Sequence, residues 1–237
     1  QDNDRAYCVV ALQGHAVSAH LEGVTHLHWS RIGAVANIID ILKEEGVCEM
    51  VMIGPVKRPN LLTVVPDLRG LQFLWRAGLR AFGGDNSILS AIVEELEREG
   101  FRVLGVDSLL EDLITPSGVL TRVAPDTAAK SFIEIGLKAA RKLGARDIGQ
   151  AVVIQGEHIL AKESHGGTND LIHRAGVLAR DKQNLILIKA KKPGQERRVD
   201  LPTIGLETVQ IAIQRGFAGI AIEAGHSLLV DKDRAIA

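Results

Sequence analysis

The sequence predicts an α/β fold on three observations: a unit of helix, glycine and short strand that recurs four times, strands that are apolar nearly throughout, and a globular balance of residues. The first copy is residues 38–46 followed by 47–53, where Ile32, Val35, Ile39 and Leu42 recur at helical spacing and form one buried stripe. The second is 92–100 followed by 101–104, and the third is 139–144 leading to 151–154. The last is 211–216 followed by 217–222. Each closing glycine (Gly46, Gly100, Gly144, Gly216) stands where a helix needs a left-handed residue with no Cβ. The apolar strands suit a parallel sheet covered by helices on both faces. Uneven unit spacing excludes a solenoid.

A break falls at Thr115-Pro116-Ser117-Gly118 and Val123-Ala124-Pro125-Asp126. Asp126 reads as the N-cap of a helix running through Phe132 and Leu137 to Leu143. The expected domains are therefore 1–125 and 126–237. Hydrophobic residues make up 46% and charged residues 24%, which argues against a disordered chain. Lys plus Arg total 28 and Asp plus Glu 29, so the net charge of −1 carries no footprint of a dedicated nucleic-acid binder. The two cysteines, Cys8 and Cys48, form neither a disulfide framework nor a zinc spacing, and a reducing cytosolic compartment is expected. No apolar run approaches the ~18 residues of a spanning helix. The polar start, Gln1-Asp2-Asn3-Asp4-Arg5, does not read as a signal peptide.

The segment richest in chemistry is 189–205, which follows an apolar strand at 185–188 and precedes a helix. Its cations Lys189, Lys191, Lys192, Arg197 and Arg198 face two acids, Glu196 and Asp200. An anionic ligand such as a phosphate would favour that density, because Arg offers paired planar donors and Lys a point charge. The same run also reads as a solvated loop. Asp200 stays open between an N-cap ahead of Pro202 and a metal-binding or general-base role.

In His165-Gly166-Gly167-Thr168-Asn169-Asp170, two glycines lead into a Thr that could cap a helix beginning near Asn169. Bare backbone N–H groups and the positive end of the helix dipole could receive an anion there, although an ordinary glycine turn explains the pattern too. Asp147-Ile148-Gly149-Gln150 precedes a buried strand, and Gln150 would read a base or sugar if that turn faced a cleft. Loops at 54–60 and 83–86 stand where α/β sheets hold ligands, or are routine turns. The histidines are scattered, with His26 and His28 alternating in a strand-like stretch, and no zinc motif, nucleophile elbow or Walker loop occurs. Glu157 and His158 read as a hairpin tip, and Trp29 and Trp75 as packing residues.

Taken together, Val56-Lys57-Arg58-Pro59, Pro66-Asp67-Leu68-Arg69-Gly70-Leu71, Asp147-Ile148-Gly149-Gln150, Gly167-Thr168, the run from Arg198 through Val199, Asp200, Leu201, Pro202, Thr203 and Ile204 to Gly205, and Gly225 resemble the LpxI-type UDP-2,3-diacylglucosamine pyrophosphatases of lipid A biosynthesis. The likeness spans nearly the whole chain. It implies a Rossmann-like N-terminal domain and a C-terminal catalytic α/β domain. It further implies a cytoplasmic hydrolase, dependent on Mg2+ or Mn2+, in peripheral contact with the inner membrane and possible as a homodimer. The implied reaction splits a UDP-linked diacyl glycolipid into UMP and lipid X. Asp200 matches the catalytic acid and metal ligand. Substrate contacts carry over to Gln150, Gly167, Thr168, Lys189, Arg198, Val199, Leu201, Pro202, Thr203, Ile204, Gly205 and Gly84.

Three departures accompany the likeness. The family's first strand and glycine-rich nucleotide turn would precede Gln1, and a last strand would follow Ala237. The family's Glu-Gly-Thr-Asp reads Gly166-Gly167-Thr168-Asn169 here. A non-catalytic nucleotide-sugar or lipid-binding module of the same fold is the competing reading. A dinucleotide-dependent oxidoreductase is disfavoured because no Gly-x-Gly-x-x-Gly turn occurs.

Overall fold

The computed structural model describes residues 6–54, 56, 64–78, 85–179 and 184–237. The chain divides into two compact units, Gln1–Leu104 and Gly105–Ala237. Both are α/β.

The first unit contains two parallel strand pairs. β1 (Val9–Leu12) pairs with β2 (Leu27–Ser30), and β3 (Glu49–Val51) with β4 (Arg102–Leu104). α1 (Val35–Glu44) buries Ile39 and Leu42, as the stripe predicts, and Gly46 closes it at φ +66°. α2 (Leu68–Ala77) starts on Asp67, whose carboxylate accepts from the Gly70 N–H at 2.7 Å. Gly70 lets α2 approach the preceding chain, because a Cβ there would lie 2.7 Å from the Gly33 carbonyl oxygen. Phe73, Leu74 and Ala77 turn inward against α3 (Asp85–Arg98). The opposite face carries Leu68, Leu71 and Trp75, one helical stripe in the open, with Trp75 85% exposed. The expectation that Trp75 packs is thus corrected; the inward positions are already occupied. Trp29 is exposed as well.

In the second unit, α4 (Thr127–Gly144) is capped by Asp126, which accepts from the Ala129 N–H at 2.7 Å. The Pro- and Gly-rich stretch before it lies inside this unit, where the Thr115 N–H donates to the Ser227 carbonyl. A four-stranded sheet follows in the order β6 (His158–Lys162), β5 (Ala151–Gln155), β7 (Leu185–Lys189), β9 (Gly219–Ile222). It is mixed: β5 runs antiparallel to both neighbours and only β7–β9 is parallel, so the parallel-sheet expectation fails here. The tight turn between β5 and β6, with Gly156 at φ +58°, is the reason. Both faces are nevertheless covered. Ala151, Val153, Leu185 and Leu187 pack with α5 (Gly167–Leu178) and α6 (Leu206–Gln214), whereas Val152, Ile154, Ile186 and Ile188 pack with α4. A bulge shifts the β5–β6 register between Val153 and Ile154. β8 (Thr203–Ile204) pairs with β10 (Leu228–Leu229), and α7 (Lys232–Ile236) is the last element.

Gly100 and Gly216 are left-handed, as predicted, but Gly144 is helical. Its lack of a side chain serves packing instead, since a Cβ would meet Lys192 at 3.1 Å. Among the described residues, no helix is long and apolar enough to cross a membrane.

Candidate functional site

Sheet topology brings three strand ends together in the second unit. Ala151, at the start of β5, stands opposite Lys189 at the end of β7, and its carbonyl accepts from the Glu163 N–H just past β6. Alternation places Lys189 on the face of Leu185 and Leu187, and Glu163 on the face of Ala161, which is the side α5 covers. Gln150, Glu163 and Lys189 therefore meet beneath the first turn of α5.

Lys189 is buried, at 7% exposure. Its Nζ donates to Thr168 Oγ1 and to the Thr203 carbonyl, each at 3.0 Å. Burial pushes its pKa down, and the carboxylates of Glu163 and Asp200 oppose that shift. Glu163 is buried too. It accepts from the Thr168 hydroxyl through Oε1 and from the Gln150 N–H through Oε2, both at 2.7 Å.

Asp200 is half-buried and accepts from Gln195 Nε2 at 2.6 Å through Oδ2. The same amide lies 3.3 Å from Gln150 Oε1, and Gln195 Oε1 accepts from the Lys192 N–H at 2.9 Å. Among the described residues no donor bonds Asp200 Oδ1. The capping alternative for Asp200 is corrected. Thr203–Ile204 is strand and α6 begins at Leu206 with Gly205 at its N-cap, too far along the chain for Asp200 to reach.

The Thr168 cap is corrected as well. α5 starts at Gly167, which is left-handed at φ +76°, and no side chain caps it. The Thr168 hydroxyl is committed to Glu163.

Three cations of the basic run are paired with acids. Arg198 forks onto Glu196 at 2.9 Å to each oxygen, holding that carboxyl below its ordinary range. Arg197 forks onto Asp107 at 2.8–3.0 Å, and Lys192 pairs with Asp147 at 2.6 Å. These pairs tie the loop to Asp107 and Asp147 while leaving Arg197 and Arg198 partly exposed. Leu201, Pro202 and Ile204 are buried, Val199 is half-buried and Thr203 is exposed. The structure thus brings Gln150, Thr168, Lys189, Asp200 and the Thr203 carbonyl into one linked group, with Gly167 adjoining in sequence. Gly84 and most of the loop at 54–60 lie outside the described residues. His26 and His28 both turn to Glu45, at 3.3 and 2.7 Å.

Sequence reasoning missed Glu163 and Gln195. Glu163 had a usable signal, since an acid directly ahead of the Gly166-Gly167 turn stands where a strand hands over to a helix. Gln195 had none, because its role depends on loop geometry. A Cβ on Gly166 would lie 2.6 Å from Asp170 Oδ2, so a side chain there would require Asp170, which pairs with Arg174 at 2.7 Å, to shift.

Comparison with known proteins agrees along the chain. A family model described as the LpxI N-terminal domain matches residues 1–113, and one described as the LpxI C-terminal domain matches residues 116–237. The chain belongs to the LpxI family. A Caulobacter vibrioides relative, named UDP-2,3-diacylglucosamine pyrophosphatase LpxI, is 37% identical over 212 residues, covering 87% of this chain and 76% of its own length. In this LpxI family member, every linked site residue from Gln150 to Thr203 lies within the LpxI C-terminal domain.

Proposed function

We propose that the chain hydrolyses the diphosphate of UDP-2,3-diacylglucosamine to UMP and 2,3-diacylglucosamine 1-phosphate, lipid X. The observation that carries this reading is LpxI family membership through both domains, joined to a linked group of charged and polar side chains around the buried Lys189. A diphosphate repels an attacking water by its own negative charge, so catalysis here rests on positioning and electrostatics. Lys189 supplies a fixed cation whose position Thr168 and Thr203 set. The first turn of α5 offers N–H groups to a phosphate oxygen. Asp200, oriented by Gln195, accepts a proton from water or aligns it toward the phosphorus nearer uridine. Arg198 meets the diphosphate at the edge of the site while Glu196 holds its fork.

Among the described residues no group of three His, Cys, Asp or Glu side chains could hold a metal. Mg2+ characteristically uses one or two carboxylates plus substrate phosphates, and that donor set fits Asp200. Asp200 would hold Mg2+ or Mn2+ with the substrate's phosphate oxygens, and the bound ion would neutralise phosphate charge and acidify water. Contact with the cytoplasmic face of the inner membrane is peripheral, supported by the open apolar stripe of α2.

The test is UMP release from UDP-2,3-diacylglucosamine in 18O-water, with and without added Mg2+ or Mn2+. Label in UMP supports attack at the uridine-side phosphorus, and label in lipid X excludes it. Binding without UMP release under any metal would favour a non-catalytic module.

A further inference from the structure

We propose that Glu163 is a positioning residue for this cleavage: its carboxylate fixes the Thr168 hydroxyl and the Gln150 backbone, and through Thr168 sets where the Lys189 ammonium meets the diphosphate. The inference rests on the hydrolase reading above.

The hydrogen assignments allow one solution. An ionised carboxylate only accepts and an ammonium only donates. The Thr168 hydroxyl lies 2.7 Å from Glu163 Oε1 and 3.0 Å from Lys189 Nζ, so its single proton goes to Glu163 and its lone pair faces Lys189. Lys189 then uses two of its three N–H bonds on Thr168 and the Thr203 carbonyl, which directs the third to one place. The second Glu163 oxygen holds the Gln150 N–H at 2.7 Å, tying the start of β5 to the same carboxylate. Packing agrees. Gly149 lies so close to Glu163 that an added Cβ would stand 2.9 Å from Glu163 Cβ and 3.2 Å from its carbonyl oxygen. The chain is built against this residue from both sides.

An amide at this position cannot reproduce the arrangement. Its one oxygen can serve Gln150 or Thr168, not both. If it keeps Gln150, its NH2 faces Thr168, whose hydroxyl must then accept from both the amide and Lys189 and loses the carboxylate that took its own proton. If it keeps Thr168, the NH2 confronts the Gln150 N–H.

The experiment is steady-state kinetics of UMP release from UDP-2,3-diacylglucosamine by the full chain, comparing wild type, Glu163→Gln, Thr168→Val and the double variant, with thermal denaturation of each. For Glu163→Gln, kcat is expected to fall about 10- to 100-fold with KM within about threefold, the range for a hydrogen bond to a charged group. The double variant should be no slower than its slower parent, because both changes break one chain of contacts. Full kcat in Glu163→Gln, a loss confined to KM, or losses that multiply in the double variant would each overturn the proposal. Should Glu163→Gln fail to fold, Glu163→Asp keeps the charge but cannot span both donors; a partial kcat loss supports the proposal and an unchanged kcat overturns it. A wild-type protein that releases no UMP would overturn the hydrolase reading and this inference with it, whereas an active wild type beside a fully active Glu163→Gln overturns this inference alone.

Discussion

Lys189 sits where water scarcely reaches; burial works against its charge, while two acceptors at 3.0 Å and the carboxylates of Glu163 and Asp200 favour it. Asp200 is the contrasting residue, half-buried and held by a neutral amide on one oxygen. Replacing it with Asn preserves shape and hydrogen bonding but removes the charge. Asp200→Asn should retain substrate binding and lose about 10²- to 10⁴-fold in kcat, the usual range for proton transfer by a positioned group; calorimetric binding beside UMP release checks both halves. Asp200 was legible in the sequence because it sits in a distinctive run. Its orienting partner Gln195 was not, since nothing in a chain of letters says which amide a loop will turn inward.

Among the elements, α4 shows how local and long-range requirements combine. Asp126 satisfies its first turn, and Gly136 lets it lie flat on the sheet, where an added Cβ would fall 2.5 Å from Ile188 Cγ1. Asp126→Ala should cost about 1 kcal/mol, the ordinary worth of a cap, and Gly136→Ala about 1–3 kcal/mol from overpacking. Urea unfolding of the two variants should rank them in that order. For α2, whose outer stripe is Leu68, Leu71 and Trp75, substitution of Trp75 with Asp should reduce co-sedimentation with anionic phospholipid vesicles while leaving helicity by circular dichroism unchanged. Three of the four helix–glycine–strand units read correctly as to their glycines. The third unit, at Gly144, failed because close approach of Lys192 and a left-handed turn both favour glycine, and sequence alone does not separate the two demands.

For the whole molecule, stability should depend on carboxylates held below their ordinary value of 4.5. Lys43 does this for Glu99 in the first unit, and the Arg198 fork does it for Glu196 in the second. Burial works against Glu223, but Arg141 and the Lys191 N–H outweigh it. A depressed folded pKa means that the unfolded chain takes up protons first as pH falls. These groups therefore stabilise fully above 4.5 and lose that contribution as pH drops through their folded values. Melting temperature measured between about pH 3 and 7 should decline on the acid side, and Glu99→Gln should flatten part of that decline. The fold class was legible because helix and strand periods alternate so plainly. The mixed sheet was not, because apolar strands covered on both faces look alike whichever way they run.

The bulge between β5 and β6 has a consequence for evolution and engineering alike. Side chains in an extended strand change sides at every step, so a hairpin arm carries parity. The bulge leaves Leu160 without an opposite residue, so Ile159 and Ala161 face opposite sides and the positions beyond, Glu163 included, stay in phase with β5. Removing that residue would leave the tip unaltered and the ladder regular, with Ile159 still opposite Ile154 and Ala161 still opposite Val153, so the acid would stay on the side of Thr168 and Lys189. The irregularity is thus a tolerance, letting the arm change length by one residue without moving the negative charge off its side of the sheet.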